Sequence, residues 1–215
     1  MKIALSKQDW RQNMSKETRI IIYKESVMDA AEKLFESKGY DATSVDEIAF
    51  NTGISKATLY AYYRSKEEIW DSLMCRYMGF MLEDARKAAE GKGSFEQRYY
   101  KLCFDLASKF EEHPVIYRGT LGKISMDMEN EIYKRIYEVG EATNEAIADF
   151  IRSGIKEGVV RKDIDIYPAV IMMWSSISGI ISMAIDKEEY LKLRFNMSKE
   201  DYLKKAFELL LEGVK

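Results

Sequence analysis

The sequence predicts an all-α protein, a three-helix helix-turn-helix domain at the N-terminus followed by a larger helical bundle. Three observations carry that expectation. Hydrophobic residues make up 47% and charged residues 32% of the 215 residues, with Pro only 2 and Gly 12, a composition of packed helices that fits neither disordered nor turn-rich β architectures. Apolar residues recur with helical period through most of the chain, and alternating strand-like runs are short. The length suits one or two domains at ~100–200 residues each, enough for a core without disulfide staples. The net charge is −3, so any nucleic-acid contact depends on a local basic patch.

The first helix is expected over 22–38, where Val27, Ala30, Ala31, Leu34 and Phe35 share one face and Gly39 supplies the stop. Ser44 and Glu47 have the spacing of a capping box, which opens a short second helix through Val45, Ile48 and Ala49. Asn51-Thr52-Gly53 breaks it, Ile54 is an apolar turn residue, and Ser55 caps a third helix expected over 56–62. Helix, glycine turn, helix over about 44–63 is the helix-turn-helix pattern. Ser65 and Glu68 mark another helix start carrying Ile69 and Leu73, which places a weak boundary between a 1–70 domain and a 71–215 domain within a helical connection. Segments 95–112, 130–156, 166–186 and 198–213 then read as helices, interrupted by His113-Pro114, by 158–165 and by 186–196. No period of 20–50 residues repeats.

Function concentrates in the third short helix. Between Asn51 and Lys66 the formal charges are Lys56, Arg64 and Lys66, all positive, whereas residues 1–70 hold 11 basic and 11 acidic residues. A helix whose first turn reaches base edges, with phosphate-binding groups on its flanks, is what reading double-stranded DNA requires. Lys56 suits guanine O6 or N7, Thr58 offers a hydroxyl or a methyl, Ala57 allows close approach, and Tyr60 and Tyr62 suit phosphates or a thymine methyl. Spacing and charge by themselves serve a surface helix with ordinary lysines and packed tyrosines equally well.

The order of residues is more specific. Ala30-Ala31 with Leu34-Phe35, Gly39-Tyr40, Thr43-Ser44-Val45, Ile48-Ala49, Gly53-Ile54-Ser55-Lys56, Thr58-Leu59-Tyr60, Tyr62-Tyr63 and Ser65-Lys66-Glu67 resemble the TetR family of transcriptional regulators. The resemblance covers about residues 26–73, and the rest matches in layout only. Tyr63 stands where that family often has Phe, and Val45 occupies a position that contacts bases in some members. The resemblance implies phosphate contacts at Ser44, Tyr62 and Lys66, a groove-facing set of Lys56, Ala57, Thr58 and Tyr60 behind the Ser55 cap, and core roles for Leu34, Phe35, Ile48, Ala49, Ile54 and Leu59. It also implies a homodimer on a palindromic operator, and a repressor released by a small-molecule effector; two cysteines without disulfide or metal spacing fit a reducing cytoplasm. An N-terminal arm with Arg11, Lys16 and Arg19 is expected to be a solvated tail, with a minor-groove contact as the other reading.

Helix 166–186 is uncharged between Ile166 and Ile185 and long enough to cross a bilayer. Four serines, Pro168 and the lack of basic flanks point instead to burial between a core and a second subunit. Val170, Trp174, Ile177 and Ile181 form one face, and Ala169, Met173, Ser176, Ile180 and Met183 form another, assigned to the dimer interface together with Leu203 and Leu210. Tyr99, Tyr100, Cys103, Phe104, Tyr117, Met126, Met128, Tyr137 and Trp174 are candidates to enclose an apolar or aromatic effector, cationic ones included, with core packing as the plainer role of each.

No cofactor or metal is expected. Cys75 and Cys103 lack metal-ligand spacing and read as buried free thiols. His113, the sole histidine, sits at a helix end; Asp127, Glu129 and Glu131 suit a helix start; and Gly91-Lys92-Gly93-Ser94 lacks the strand and upstream glycine of a phosphate loop. A small helical enzyme and a membrane-tethered helical protein are the readings from other classes.

Overall fold

The computed structural model describes residues 15–123 and 125–215. Among them are ten helices and no strand. They are α1 (Lys16–Lys38), α2 (Val45–Thr52), α3 (Lys56–Tyr60), α4 (Lys66–Glu90), α5 (Phe95–Glu112), α6 (Pro114–Gly119), α7 (Glu131–Glu157), α8 (Ile166–Asp186), α9 (Glu188–Phe195) and α10 (Lys199–Glu212). The chain divides into two compact units, Met1–Met74 and Cys75–Lys215.

In the first unit α1 packs on α2, and α2 on α3. Val27, Ala31, Phe35, Ile48, Leu59, Ile69 and Leu73 are buried, whereas Leu34 and Ile54 are only half-buried. Phe35 sits at the centre of an aromatic trio, its ring centroid 5.4 Å from both Tyr40 and Trp70. The helix-turn-helix turn is set by Gly53, whose φ of 66° and ψ of 26° are left-handed and whose N–H closes on the carbonyls of α2's last turn.

Two expectations about this unit change. Helix α1 begins at Lys16, capped by Ser15, so Lys16 and Arg19 belong to a helix and not to a tail; the Ser15 hydroxyl accepts from the Thr18 N–H at 3.2 Å. Arg11 lies outside the described residues. Helix α3 closes at Tyr60, two residues earlier than its pattern suggests, because the Ala61 and Tyr62 N–H groups turn back onto carbonyls of residues 57–59.

In the second unit α8 is the central helix, packed against α7, α10, α5 and α9. Phe95 and Phe150 stack at 4.5 Å. Gly154 belongs to the same contact, since a Cβ there would lie 2.5 Å from Val160 and 2.7 Å from Phe95. The two thiols are free and buried, and burial pushes Cys103 up to about 12. The interruptions read at 113–114 and 186–196 are in part helical. Pro114 opens α6 at its first position, where its missing N–H costs nothing. Helix α9 has Leu191 buried but leaves Tyr190, Leu193 and Phe195 exposed, so it lacks the one-sided pattern that reveals a helix in sequence.

Candidate nucleic-acid interface

The first unit presents the N-terminal turns of α2 and α3 side by side. Ser44 is exposed and completes a capping box: its hydroxyl accepts from the Glu47 N–H at 3.3 Å, and its own N–H donates to the Glu47 carboxylate at 2.9 Å. Lys38 donates to the other Glu47 oxygen at 2.5 Å. These hydrogen bonds, first from Lys38 and then from Ser44, hold the Glu47 carboxyl at about 2. Its folded pKa lies below the unfolded value, so the cap's contribution is present above about pH 4.5 and is lost as pH falls toward 2. Glu47→Gln is therefore expected to melt below wild type at pH 6, with the difference in melting temperature shrinking to nothing near pH 2. A difference that stayed constant across this range would remove the titration of Glu47 as its cause.

Ser55 caps α3, accepting from the Thr58 N–H at 3.1 Å, with the two hydroxyls 2.8 Å apart. Lys56, Ala57 and Tyr60 are exposed, Tyr60 by 46%, and Thr58 is half-buried. The expected groove-facing set thus stands on one short helix rigidly capped at its start. Lys56 is less isolated than the charge pattern between Asn51 and Lys66 suggests. Its ammonium donates to the Asp46 carboxylate of α2 at 2.9 Å, and that hydrogen bond raises the pKa of the amine. Asp46 had no role in the sequence reading, because a contact ten residues away through a turn has no periodic signature.

Two of the expected phosphate contacts also have structural duties. Tyr62 is half-buried and stacks on Tyr23 at 5.5 Å. Lys66 is half-buried, lies over the Tyr40 ring at 4.1 Å and donates to the carbonyls of Tyr40 and Thr43 at 2.8 and 2.9 Å. Two of its three N–H donors hold the turn before α2, which leaves one for an outside acceptor. Arg64 remains an exposed cation beside them.

Residues 27–73 match the model for bacterial regulatory proteins of the tetR family. Over 129 residues the chain is 28% identical to the biofilm operon icaADBC HTH-type negative transcriptional regulator IcaR of Staphylococcus aureus, covering 59% of this chain and 68% of that one. The TetR-family regulator PfmR of Thermus thermophilus superposes with a TM-score of 0.64 at 25% identity, covering 88% of this chain and 98% of that one. Residues 27–73 thus carry the DNA-binding module of the tetR family. The chain is a DNA-binding transcriptional regulator, like the relatives it matches, and not an enzyme. A structure of FadR from Bacillus subtilis in complex with stearoyl-CoA has the same fold, with a TM-score of 0.66 at 20% identity over 89% of this chain and 99% of that one.

In the second unit, Tyr99 meets Tyr100 at 5.4 Å and contacts Cys103, but the residues expected to enclose an effector line no common cavity among the described residues. Tyr117 is buried between Tyr77 and Phe110, with centroids at 5.1 and 4.9 Å. Cys103 is buried, Tyr100 and Trp174 are half-buried, and Phe104, Met126, Met128 and Tyr137 lie on the surface, Met126 67% exposed. Only Tyr99 of that set lines the apolar cavity, of about 20 Å³, that Phe95, Ile151, Ala169, Met172, Met173 and Leu210 also border. Its phenol donates to the Phe207 carbonyl at 2.9 Å, and burial raises its pKa. Aromatic and Met content indicates apolar surroundings but says nothing of which helix face meets which, and the scatter follows from that.

The residues assigned to the dimer interface divide by burial. Ala169 and Leu203 are buried within the protomer, and Met173, Ser176, Ile180 and Leu210 are half-buried. Ala169 is turned toward the apolar cavity, which removes it from any outer surface. The outward apolar residues of α8 are Tyr167, Ile171, Met172 and Met183, and α10 adds Leu209, 74% exposed. Helix α8 is the one described helix long and apolar enough to cross a membrane, with a mean hydropathy of 1.7 over a window that is 33% buried.

Proposed function

We propose that this TetR-family regulator is a cytoplasmic repressor that binds a palindromic operator as a homodimer and is released by a small apolar effector. The observation that carries the DNA-reading assignment is the capped α3 helix with Lys56, Ala57 and Tyr60 exposed on it. A recognition helix needs accessible side chains on a fixed backbone, and its flanks need cations such as Arg64. Repression is supported by IcaR, which is a negative regulator.

The dimer reading rests on the outward apolar residues of α8 and α10, since a monomer leaves Ile171 58% and Leu209 74% exposed to water. Covering such a surface with a second copy is the ordinary solution for a two-fold assembly. The effector reading rests on the wholly apolar cavity between α5, α7, α8 and α10. Its present size requires those helices to part for any ligand beyond water size. The complex of FadR with stearoyl-CoA makes an apolar chain the first effector chemistry to try. Because α4 starts in the first unit and ends in the second, it is the covalent route by which binding would bias the reading heads.

The test is fluorescence anisotropy with DNA flanking the protein's own gene, across a salt series. Lys56→Ala and Tyr60→Ala are each expected to weaken specific binding by roughly 5–100-fold. Binding indifferent to both substitutions would place recognition elsewhere on the molecule. An apolar ligand that bound without changing operator affinity would remove the release mechanism.

A further inference from the structure

Asp46 is a carboxylate on the surface that the proposed function turns toward DNA, a location where negative charge repels phosphate. Its side chain is 66% exposed and its partner Lys56 is 51% exposed. An ion pair this open to water adds little to folding stability. The local cap does not use it either, since the capping carboxylate of α2 is Glu47, which Lys38 also engages. Lys56 is the one partner of the Asp46 carboxylate among the described residues.

Groove chemistry supplies a use for it. An ammonium donates to guanine O6 and N7, and a carboxylate accepts from the N4 amino group of cytosine. Stacked bases on one strand are ~3.4 Å apart, close to the 2.9 Å between Lys56 Nζ and Asp46 Oδ2. We propose that Asp46 is a base-reading residue that, with Lys56, forms a donor–acceptor pair selecting a guanine and an adjacent cytosine in each half-site. This rests on α3 being the recognition helix. The inventory of groups closes: the ammonium has three N–H donors, one for Asp46 and two for guanine, and the carboxylate's second oxygen is open to the cytosine amino group. The pair therefore persists on DNA, and each member fixes the other's position.

The test is selection of full-length protein on random-sequence duplexes, followed by anisotropy at one salt concentration on the selected site and its single-base variants. Wild type is compared with Asp46→Asn, Asp46→Ala and Lys56→Met, with melting curves to confirm that each is folded. Wild type should select adjacent guanine and cytosine. Asp46→Asn should lose about tenfold or more of the discrimination at the cytosine position with a smaller loss at the guanine, and Lys56→Met should do the converse. Tighter binding of Asp46→Asn to every duplex by one common factor, with base preferences unchanged, would overturn the inference and leave only charge repulsion. A sequence preference in wild type without that guanine–cytosine pair would overturn it equally. Absence of any sequence preference in wild type would overturn the operator-binding reading as well.

Discussion

Arg98→Met is expected to lower the stability of the second unit by about 1–3 kcal/mol, the cost of leaving buried polar groups without their hydrogen-bond donor. Arg98 is 7% exposed and connects three helices. One guanidinium nitrogen donates to the carbonyls of Ala88 and Ala89 in the last turn of α4. The other donates to the Ser153 hydroxyl at 3.1 Å and to the Glu157 carboxylate of α7. The second oxygen of Glu157 accepts the Phe95 N–H at 2.7 Å, so the pair also closes the start of α5. The guanidinium carbon lies 5.4 Å from the Phe150 ring centroid and 5.9 Å from that of Phe95, within cation–π range. Removing the arginine leaves two helix-end carbonyls without their donor, whereas the Glu157 carboxylate, 35% exposed, stays open to water.

At ~2–4 °C per kcal/mol for a chain of this size, the melting temperature should fall by roughly 2–12 °C. Arg98→Lys keeps the charge but not the planar fork and should fall in between. Arg98→Met with Glu157→Leu also removes the acceptor of the Phe95 N–H and should be no more stable than Arg98→Met alone. A single Arg98→Met variant as stable as wild type would mean that water replaces every one of these contacts.

Phe35→Ala should cost the first unit about 3–5 kcal/mol and take sequence-specific DNA binding with it. Phe35 is fully buried, and its ring lies between Tyr40, which precedes α2, and Trp70 in the first turns of α4. Tyr40 in turn carries Lys66 over its face and meets Trp70 at 5.3 Å. Deleting the ring leaves a cavity beneath the turn that Lys66 holds, and the capped α2 loses its footing. Phe35→Leu fills most of that space and should cost less. Urea unfolding followed through Trp70 fluorescence, with Trp10 and Trp174 replaced by Phe, measures the loss, and anisotropy at a temperature where the variant is still folded separates misplacement from unfolding. Unchanged stability would show that the aromatic trio repacks around the gap.

Much of the first unit is legible in the chain itself, because its determinants are local. Capping by Ser44 with Glu47 and by Ser55 involves partners three residues apart, and the left-handed turn at Gly53 is set by the residue itself. The same locality explains the buried face Val27, Ala30, Ala31 and Phe35 on α1. The start of α1 is not legible in this way, because the apolar face that identifies the helix begins well after its Ser15 cap.

Helical class, the helix-turn-helix and the family follow from the residues alone, since composition, caps and period act within a turn or two of the chain. Where long side chains end depends on the packed molecule. Lys66 reaches back 26 residues to the Tyr40 carbonyl, Tyr99 reaches forward 108 residues to that of Phe207, and Asp46 meets Lys56 across the glycine turn. Packing also selects which apolar residues of α8 face inward: Ala169 and Ile177 are buried while Ile171 and Met183 are exposed. A helix apolar on nearly every side carries no periodic mark of its inner face, so only the packing of α7 and α10 against it makes that choice.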